Sequence, residues 1–193
     1  ANHGNKKNQN IYMDTCVMKT ELFISLIKEA KKLSSMYTLA DILKANCGTL
    51  DIRGVAHKGF FASITDFPSY YDANMNLLDY KAAQELFHDN WPIYTRTNDS
   101  CPTQYFDTAE VKNSVISNGC QIEGTVENSV IGRGCVIKKG AVVKNSVVLA
   151  EVTVGEGVHV ENEVVDKWAR LVHEKEIVSP ADQPGYIRRG DTL

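Results

Sequence analysis

The sequence lacks the features that mark metal-binding, disulfide-rich and membrane proteins. Its five cysteines are widely spaced and none forms a Cys-x-x-Cys pair, so neither a zinc site nor a disulfide framework is indicated. The longest apolar runs fall far short of the roughly 20 residues that a membrane span needs. Residues 1–10 are polar and lack the apolar stretch of a signal peptide. These absences favour a protein of the reducing cytoplasm, without a bound metal and without contact to a membrane.

An excess of one charge is also missing. Among 193 residues, 21 Lys and Arg are interspersed with 24 Asp and Glu, which gives a formal charge of −3. No basic stripe with interleaved aromatic residues occurs, which argues against nucleic acid as a partner. The hydrophobic share of 43% is sufficient for a substantial core.

The first hundred residues combine helical and extended patterns. Residues 11–18 are predicted to form a strand, and residues 50–64 are predicted to be extended. Helices are predicted to begin at Thr20, Thr38 and Asp66, because apolar residues follow each of them at helical spacing. Asp66 is interpreted as the residue that caps its helix.

A polar linker separates this region from the rest of the chain. Residues 88–108 contain Trp91-Pro92, Cys101-Pro102 and a run of Thr, Asn, Asp and Ser, which favour turns over regular structure. The sequence therefore predicts two domains, residues 1–100 and residues 101–193.

Beyond the linker, large aliphatic residues recur mostly every six positions. They are Ile116, Ile122, Ile131, Ile137, Val143, Leu149, Val154, Val160, Val165 and Leu171. A smaller side chain stands two positions before most of them, at Cys120, Cys135, Ala141, Val147, Val158 and Ala169. Residues two apart in a strand face the same side, so this pattern suits a narrow triangular prism.

Three such hexads form one coil of about 18 residues in a parallel β-helix. Antiparallel hairpins are the alternative, but they favour strict alternation and would not keep a six-residue period over this length. The three extra residues between Ile122 and Ile131 predict a small bulging loop.

Several stretches of the chain closely resemble bacterial ADP-glucose pyrophosphorylases, also called glucose-1-phosphate adenylyltransferases. They are residues 71–78, 91–95, 111–116, 124–131 and 139–147, within a resemblance that covers about residues 11–175. The resemblance implies an α/β remnant of a nucleotidyltransferase domain followed by an all-β, left-handed parallel β-helix. The family makes ADP-glucose from glucose 1-phosphate and ATP with Mg²⁺, for glycogen synthesis, and works as a tetramer.

Two family elements do not occur in the sequence: the Gly-rich loop for the nucleotide and the Glu-Lys-Pro-Lys-like stretch for the sugar phosphate. The resemblance therefore implies a C-terminal fragment that carries no cofactor of its own. Gly59, Phe60 and Phe61 begin a stretch that matches the Gly-Tyr-Trp-Arg-Asp-Val-Gly-Thr-like stretch of active members, as a remnant of the substrate pocket. Ser63 stands there at the position of the Asp that binds Mg²⁺, and a neutral hydroxyl does not replace a carboxylate ligand.

A second departure concerns the strand beside the glucose, which is Ser-Met-Gly-Ile-Tyr-like in active members. Tyr12 adds bulk at the matching positions, and Asp14 adds a negative charge near an anionic sugar phosphate. A one-residue shift of this alignment is the alternative. Together, the departures at Ser63, Tyr12 and Asp14 imply a regulatory and assembly subunit without catalytic residues. Its expected partners are a catalytic subunit of the same enzyme or further copies of itself.

An anionic effector such as a sugar phosphate is a further expected partner. The candidate contacts are basic residues of the repeat region, Lys138, Lys139, Lys144, Lys167, Arg170, Arg188 and Arg189. An ordinary solvated face is the alternative for these charges. Two other functions stay open: a pure oligomerisation scaffold, and a hexapeptide-repeat acyltransferase with His159 as general base.

Overall fold

The computed structural model describes residues 12–33, 38–87, 90, 92–95 and 99–193. The chain forms two compact units, residues 1–57 and 58–193. Helices give way to strands between residues 86 and 104, and the domain boundary near residue 100 stays a prediction. Trp91, which belongs to the predicted linker, lies outside the described residues.

The first unit contains two helices, α1 (Thr20–Leu33) and α2 (Leu39–Ala45). Each contributes one buried residue, Leu26 from α1 and Ile42 from α2. Other apolar side chains of α1, such as Phe23 and Ile27, keep about two fifths of their surface exposed, at 39% and 44%. The described part of this unit therefore has only a small core.

The start of α2 follows the prediction, whereas the predicted strand before α1 is wrong in its described part. The Thr38 hydroxyl accepts a hydrogen bond from the Asp41 backbone at 3.3 Å, and the Asp41 carboxylate accepts one from the Thr38 backbone at 3.1 Å. This reciprocal pair is a capping box. Residues 12–18 form no strand, because no described segment pairs with their backbone N–H and C=O groups.

The second unit begins with an exposed extended segment and then three helical elements. These are α3 (Phe67–Met75), a 3₁₀ turn (Asn76–Leu78) and α4 (Tyr80–Leu86). The predicted cap of α3 is confirmed, since Asp66 Oδ1 accepts a hydrogen bond from the Ser69 backbone at 2.9 Å. None of the helices described in either unit has the length and apolar character needed to cross a lipid bilayer.

The rest of the second unit consists of short parallel strands. In chain order they are β1 (Gln104–Tyr105), β2 (Glu110–Lys112), β3 (Val115–Ile116), β4 (Gln121–Ile122), β5 (Thr125–Glu127), β6 (Val130–Ile131), β7 (Val136–Ile137), β8 (Val142–Lys144), β9 (Val147–Val148), β10 (Thr153–Val154), β11 (His159–Glu161), β12 (Glu163–Val165), β13 (Arg170–Leu171), β14 (Glu176–Val178) and β15 (Gly185–Ile187). Every third strand joins the same sheet. The first sheet therefore begins with β1, the second with β2 and the third with β3, and each has five strands.

The three sheets form the predicted parallel β-helix, and the coil fits the left-handed form. Val126, Val143 and Val160 are neighbours in the second sheet, so one coil takes 17 residues there. Ile122 and Ile137 are neighbours in the first sheet, so an earlier coil takes 15. The inward aliphatic residues of successive coils stack into one continuous core, which confirms the reading of the six-residue repeat.

Two details of the predicted repeat are wrong. Val126 is fully buried in β5, so the residues between Ile122 and Ile131 form a strand with its corners and not a bulging loop. The large residues are spaced by four and then five positions here, which conceals the strand from a six-residue pattern. The inward residue of β9 is Val148, while Leu149 is only partly buried on the outside of the coil.

Candidate functional site

The stretch 59–66 leads into α3 at the surface of the second unit. Gly59 has a φ of +119°, a conformation that favours glycine. Phe60 is half-buried, whereas Phe61 and Ser63 are exposed. The structure thus places the predicted pocket remnant on one short, open segment directly before a capped helix.

The acidic residue of this stretch is already engaged. Asp66 caps α3, and hydrogen bonds from the Ser69 hydroxyl and backbone lower the pKa of the Asp66 carboxyl group. Mg²⁺ prefers carboxylate oxygens in near-octahedral geometry. A neutral Ser63 followed by a helix-capping aspartate does not fit that ion.

Tyr12 and Asp14 belong to the first unit and are described there by themselves. Both side chains are exposed, and Asp14 has a φ of +51°, which aspartate tolerates better than most residues. An open cleft of about 400 Å³ lies next to them in sequence. It is lined by Cys16, Val17, Met18, Thr20, Phe23 and Leu39. No charged side chain is among these residues, so the cleft offers little to an anionic sugar phosphate.

Helix α3 is fixed to the outer face of the third sheet. The Tyr71 hydroxyl donates a 2.6 Å hydrogen bond to the carbonyl oxygen of Asn145. The Tyr71 ring is buried with Val147 and Val164, two outward valines of β9 and β12. The β-helix therefore serves as the support on which α3, and with it Asp66, is held.

The predicted effector contacts do not form one site. Lys138 pairs with Glu123 at 3.3 Å, and Lys144 pairs with Glu127 at 3.6 Å. Lys139 is exposed in the turn between β7 and β8. Two of the three lysines are therefore already neutralised by neighbouring coils.

The predicted arginines lie closer together, near the end of the β-helix. The backbone of Arg170 donates to Asp191 at 2.8 Å, and the backbone of Gly190 donates to Lys167 at 3.0 Å. The guanidinium of Arg189 lies 4.0 Å from the ring centre of Trp168. We call this group the arginine corner, which comprises Lys167, Trp168, Arg170, Arg188 and Arg189.

Trp168 was not predicted, although it stands at the centre of the arginine corner. Its φ of +63° is rare for a bulky residue. It is the equivalent, one coil later, of Glu151, which also has a positive φ. A comparison of corner residues at 17-residue spacing would have found this tryptophan from the sequence.

His159 lies between two carboxylates. Its Nδ1 is 3.2 Å from Glu176 Oε2, and its Nε2 is 3.2 Å from Glu161 Oε2. A general base needs a nitrogen directed at the substrate proton. Nδ1 lies within hydrogen-bond distance of Glu176, and Nε2 is buried without a hydrogen-bond partner among the described residues, so neither nitrogen is directed at a substrate and His159 is better explained as a structural residue of this sheet than as an acyltransferase base.

Known proteins match both parts of this architecture. The family model described as "GlmU-like, C-terminal hexapeptide" matches residues 102–183. The glycogen biosynthesis protein GlgD of Bacillus subtilis is 30% identical over 174 residues, which cover 90% of this chain and 50% of that protein. The glucose-1-phosphate adenylyltransferase of Fervidobacterium nodosum is 34% identical over 141 residues, 72% of this chain and 34% of that protein.

A second GlgD protein, from Geobacillus stearothermophilus, is 34% identical over 131 residues, 68% of this chain and 38% of that protein. These alignments extend well beyond the hexapeptide region. The chain belongs to the glucose-1-phosphate adenylyltransferase family. It spans between about a third and a half of the length of these relatives.

The β-helix of this adenylyltransferase-family chain contains a polar column that the sequence reading missed. Ser114, Ser129 and Ser146 stack at the corner between the second and third sheets. Each hydroxyl accepts a 3.1 Å hydrogen bond from the backbone N–H of the next coil. The last of these donors belongs to Glu163, which occupies the position of a fourth serine.

The Glu163 carboxylate is almost completely buried at this corner. It accepts a 2.5 Å hydrogen bond from the Ser179 hydroxyl and lies against Gly185, where a Cβ atom would collide with it. Burial raises the pKa of Glu163, while the hydrogen bond from Ser179 opposes this rise. Because Gly185 has no Cβ atom, it leaves room for this larger side chain.

Proposed function

We propose that this chain is part of a regulatory and assembly subunit of glucose-1-phosphate adenylyltransferase in glycogen biosynthesis. The names of the relatives support the pathway, since two are glycogen biosynthesis proteins GlgD and one is a glucose-1-phosphate adenylyltransferase. The family reaction converts ATP and glucose 1-phosphate into ADP-glucose and diphosphate. The proposed partners are a catalytic subunit of the same enzyme and copies of the chain itself.

One observation supports the non-catalytic role above all others. In the stretch 59–66 the Mg²⁺ position holds Ser63, and the carboxylate of Asp66 is committed to the cap of α3. Phosphoryl-type transfer depends on cations that neutralise charge on the phosphates. A subunit without that ligand is expected to bind and regulate rather than to catalyse.

The test uses the full-length protein that contains this chain. With ATP, glucose 1-phosphate and Mg²⁺, it is expected to release no diphosphate by itself. Added to a catalytic subunit of the family, it is expected to change the effector concentration that gives half-maximal rate. If the two proteins associate but the effector response is unchanged, the regulatory role is excluded and the protein acts only as an oligomerisation scaffold.

The arginine corner is the proposed site of an anionic effector. Its cations are exposed, whereas Lys138 and Lys144 are neutralised by Glu123 and Glu127. Calorimetric titration with a sugar bisphosphate is expected to give saturable binding. The double variant Arg188→Ala/Arg189→Ala should weaken it about tenfold or more, because charge-assisted hydrogen bonds are lost.

Lys138→Ala is the matched control and should bind the sugar bisphosphate like the unmodified chain. A pure scaffold would show no saturable binding in either protein. Equal weakening by both substitutions would place the effector site elsewhere.

A further inference from the structure

The outer face of the second sheet carries an ordered row of charges. Lys112, Glu127, Lys144 and Glu161 are direct neighbours in successive coils, as the strand register shows. Their charges alternate along the β-helix axis and sum to zero. We call these four residues the charged row.

A companion row runs parallel to it, two residues earlier in each strand. It consists of Glu110, Thr125, Val142, His159 and Glu176. The side chains of Lys144 and Glu127 keep 40% and 34% of their surface exposed, and those of His159 and Glu161 keep 31% and 29%. Helix α3 packs on the third sheet, so it does not cover this face.

The ion pairs that these charges form within the chain contribute little to its stability. Lys144 and Glu127 lie 3.6 Å apart on the surface, and exposed ion pairs of this kind contribute about 0–1 kcal/mol. The net charge of zero also makes the row a poor match for a strongly acidic or basic partner. A row of alternating charges is complementary to a second copy of the same row in reverse order, because each cation then faces an anion.

We propose that the second sheet binds the second sheet of another copy of this chain, across a two-fold axis parallel to the strands. An axis that passes between Glu127 and Lys144 places Lys112 opposite Glu161 of the copy and Glu127 opposite Lys144. Every cation then faces an anion. Two-fold contacts of this kind are self-complementary and close after two subunits.

The companion row fits the same arrangement. The axis that pairs the charged row also brings Glu110 opposite His159 of the copy, and Thr125 opposite Val142. An axis that passes through Lys144 instead would bring Glu127 opposite Glu161 and Lys144 opposite itself. Like charges directly opposite each other are destabilising, so the charges select one register.

This inference rests on the assembly part of the proposed function and is independent of whether the subunit catalyses. The experiment is sedimentation velocity on the full chain and on two charge variants. Lys112→Glu/Lys144→Glu makes the charged row fully acidic, and Glu127→Lys/Glu161→Lys makes it fully basic. Each variant alone should dissociate, with a dimer Kd raised about tenfold or more, while the chain itself forms a dimer.

Mixing the two variants provides the decisive readout, because an acidic row matches a basic one. The mixture should recover the dimer mass, which also shows that both variants are folded. Lys58→Glu/Lys81→Glu makes the same change in net charge as the acidic variant, at exposed positions outside the strands of the second sheet, and should leave the dimer unchanged. Raising the salt concentration from about 0.05 M to about 0.5 M should weaken the dimer formed by the unmodified chain.

Three results would overturn the inference: a chain that stays monomeric at low salt, a dimer that survives both charge variants, or a mixture that does not reassociate. Association through this face only with a different subunit would also overturn it. None of these results bears on diphosphate release, so a failure here is distinct from a failure of the non-catalytic role.

Discussion

At the scale of single residues, Glu163 shows how one substitution changes a repeating structure. Three serines hold successive coils through their hydroxyls, and the fourth coil replaces serine by a buried carboxylate. The hydrogen bond from Ser179 satisfies one oxygen of that carboxylate. Because burial favours the neutral form, an ionised Glu163 opposes folding.

Glu163→Gln is therefore expected to stabilise the chain at pH 7. The amide keeps the acceptor for Ser179 and removes the buried charge, so the free energy of unfolding should rise by about 1 kcal/mol. The raised pKa means that the carboxyl group favours folding below its unfolded pKa and loses this contribution as the pH rises through its folded pKa. Denaturant unfolding should thus give a difference at pH 7 that disappears in acid. Glu174→Gln, at an exposed position, is the control and should show neither effect.

At the scale of elements, the joint between α3 and the third sheet connects the two kinds of structure in the second unit. Outward valines at β9 and β12 provide an apolar platform, and Tyr71 covers it. Phe67 extends this contact by packing edge-to-face on Tyr186, with ring centres 5.8 Å apart. Aromatic pairs of this geometry add about 0.5–1.5 kcal/mol beyond the area they bury.

Tyr71→Phe should weaken the contact between α3 and the third sheet without creating a cavity. The ring stays in place, but the Asn145 carbonyl loses its 2.6 Å hydrogen bond, which should lower the free energy of unfolding by about 0.5–1.5 kcal/mol. Denaturant unfolding measures this loss, and limited proteolysis should cut near α3 earlier than in the unmodified chain. Tyr70→Phe should leave both unchanged, and equal effects of the two substitutions would show that the Tyr71 hydroxyl is not the cause.

At the scale of the whole molecule, the sequence predicted the β-helix because its rule is local. An inward aliphatic residue in each hexad is visible without knowledge of any distant contact. The six-residue pattern failed at Val126. The corner before this residue is shorter because Gly124 has no Cβ atom: a Cβ at Gly124 would lie 2.4 Å from the carbonyl oxygen of Ala141 in the next coil. The attachment of α3 and the arginine corner depend on residues far apart in sequence, so periodicity alone could not reveal them.

The candidate site was predictable only in part for the same reason. The absence of an acidic residue at position 63 is readable from the sequence, and so is the cap at Asp66. The pairing of Lys138 and Lys144 with glutamates of the preceding coil follows from the 15- and 17-residue registers. Once those registers are known, neighbours across coils can be read directly from the chain.

Magnesium-dependent turnover by the full-length protein tests the non-catalytic role. ADP-glucose formation should be undetectable for the unmodified protein, detectable for Ser63→Asp combined with Tyr12→Ser, and undetectable for the control Ser63→Asn with Tyr12→Ser, which has the shape of the carboxylate without its charge. Magnesium-dependent turnover by the unmodified protein alone would contradict the non-catalytic role.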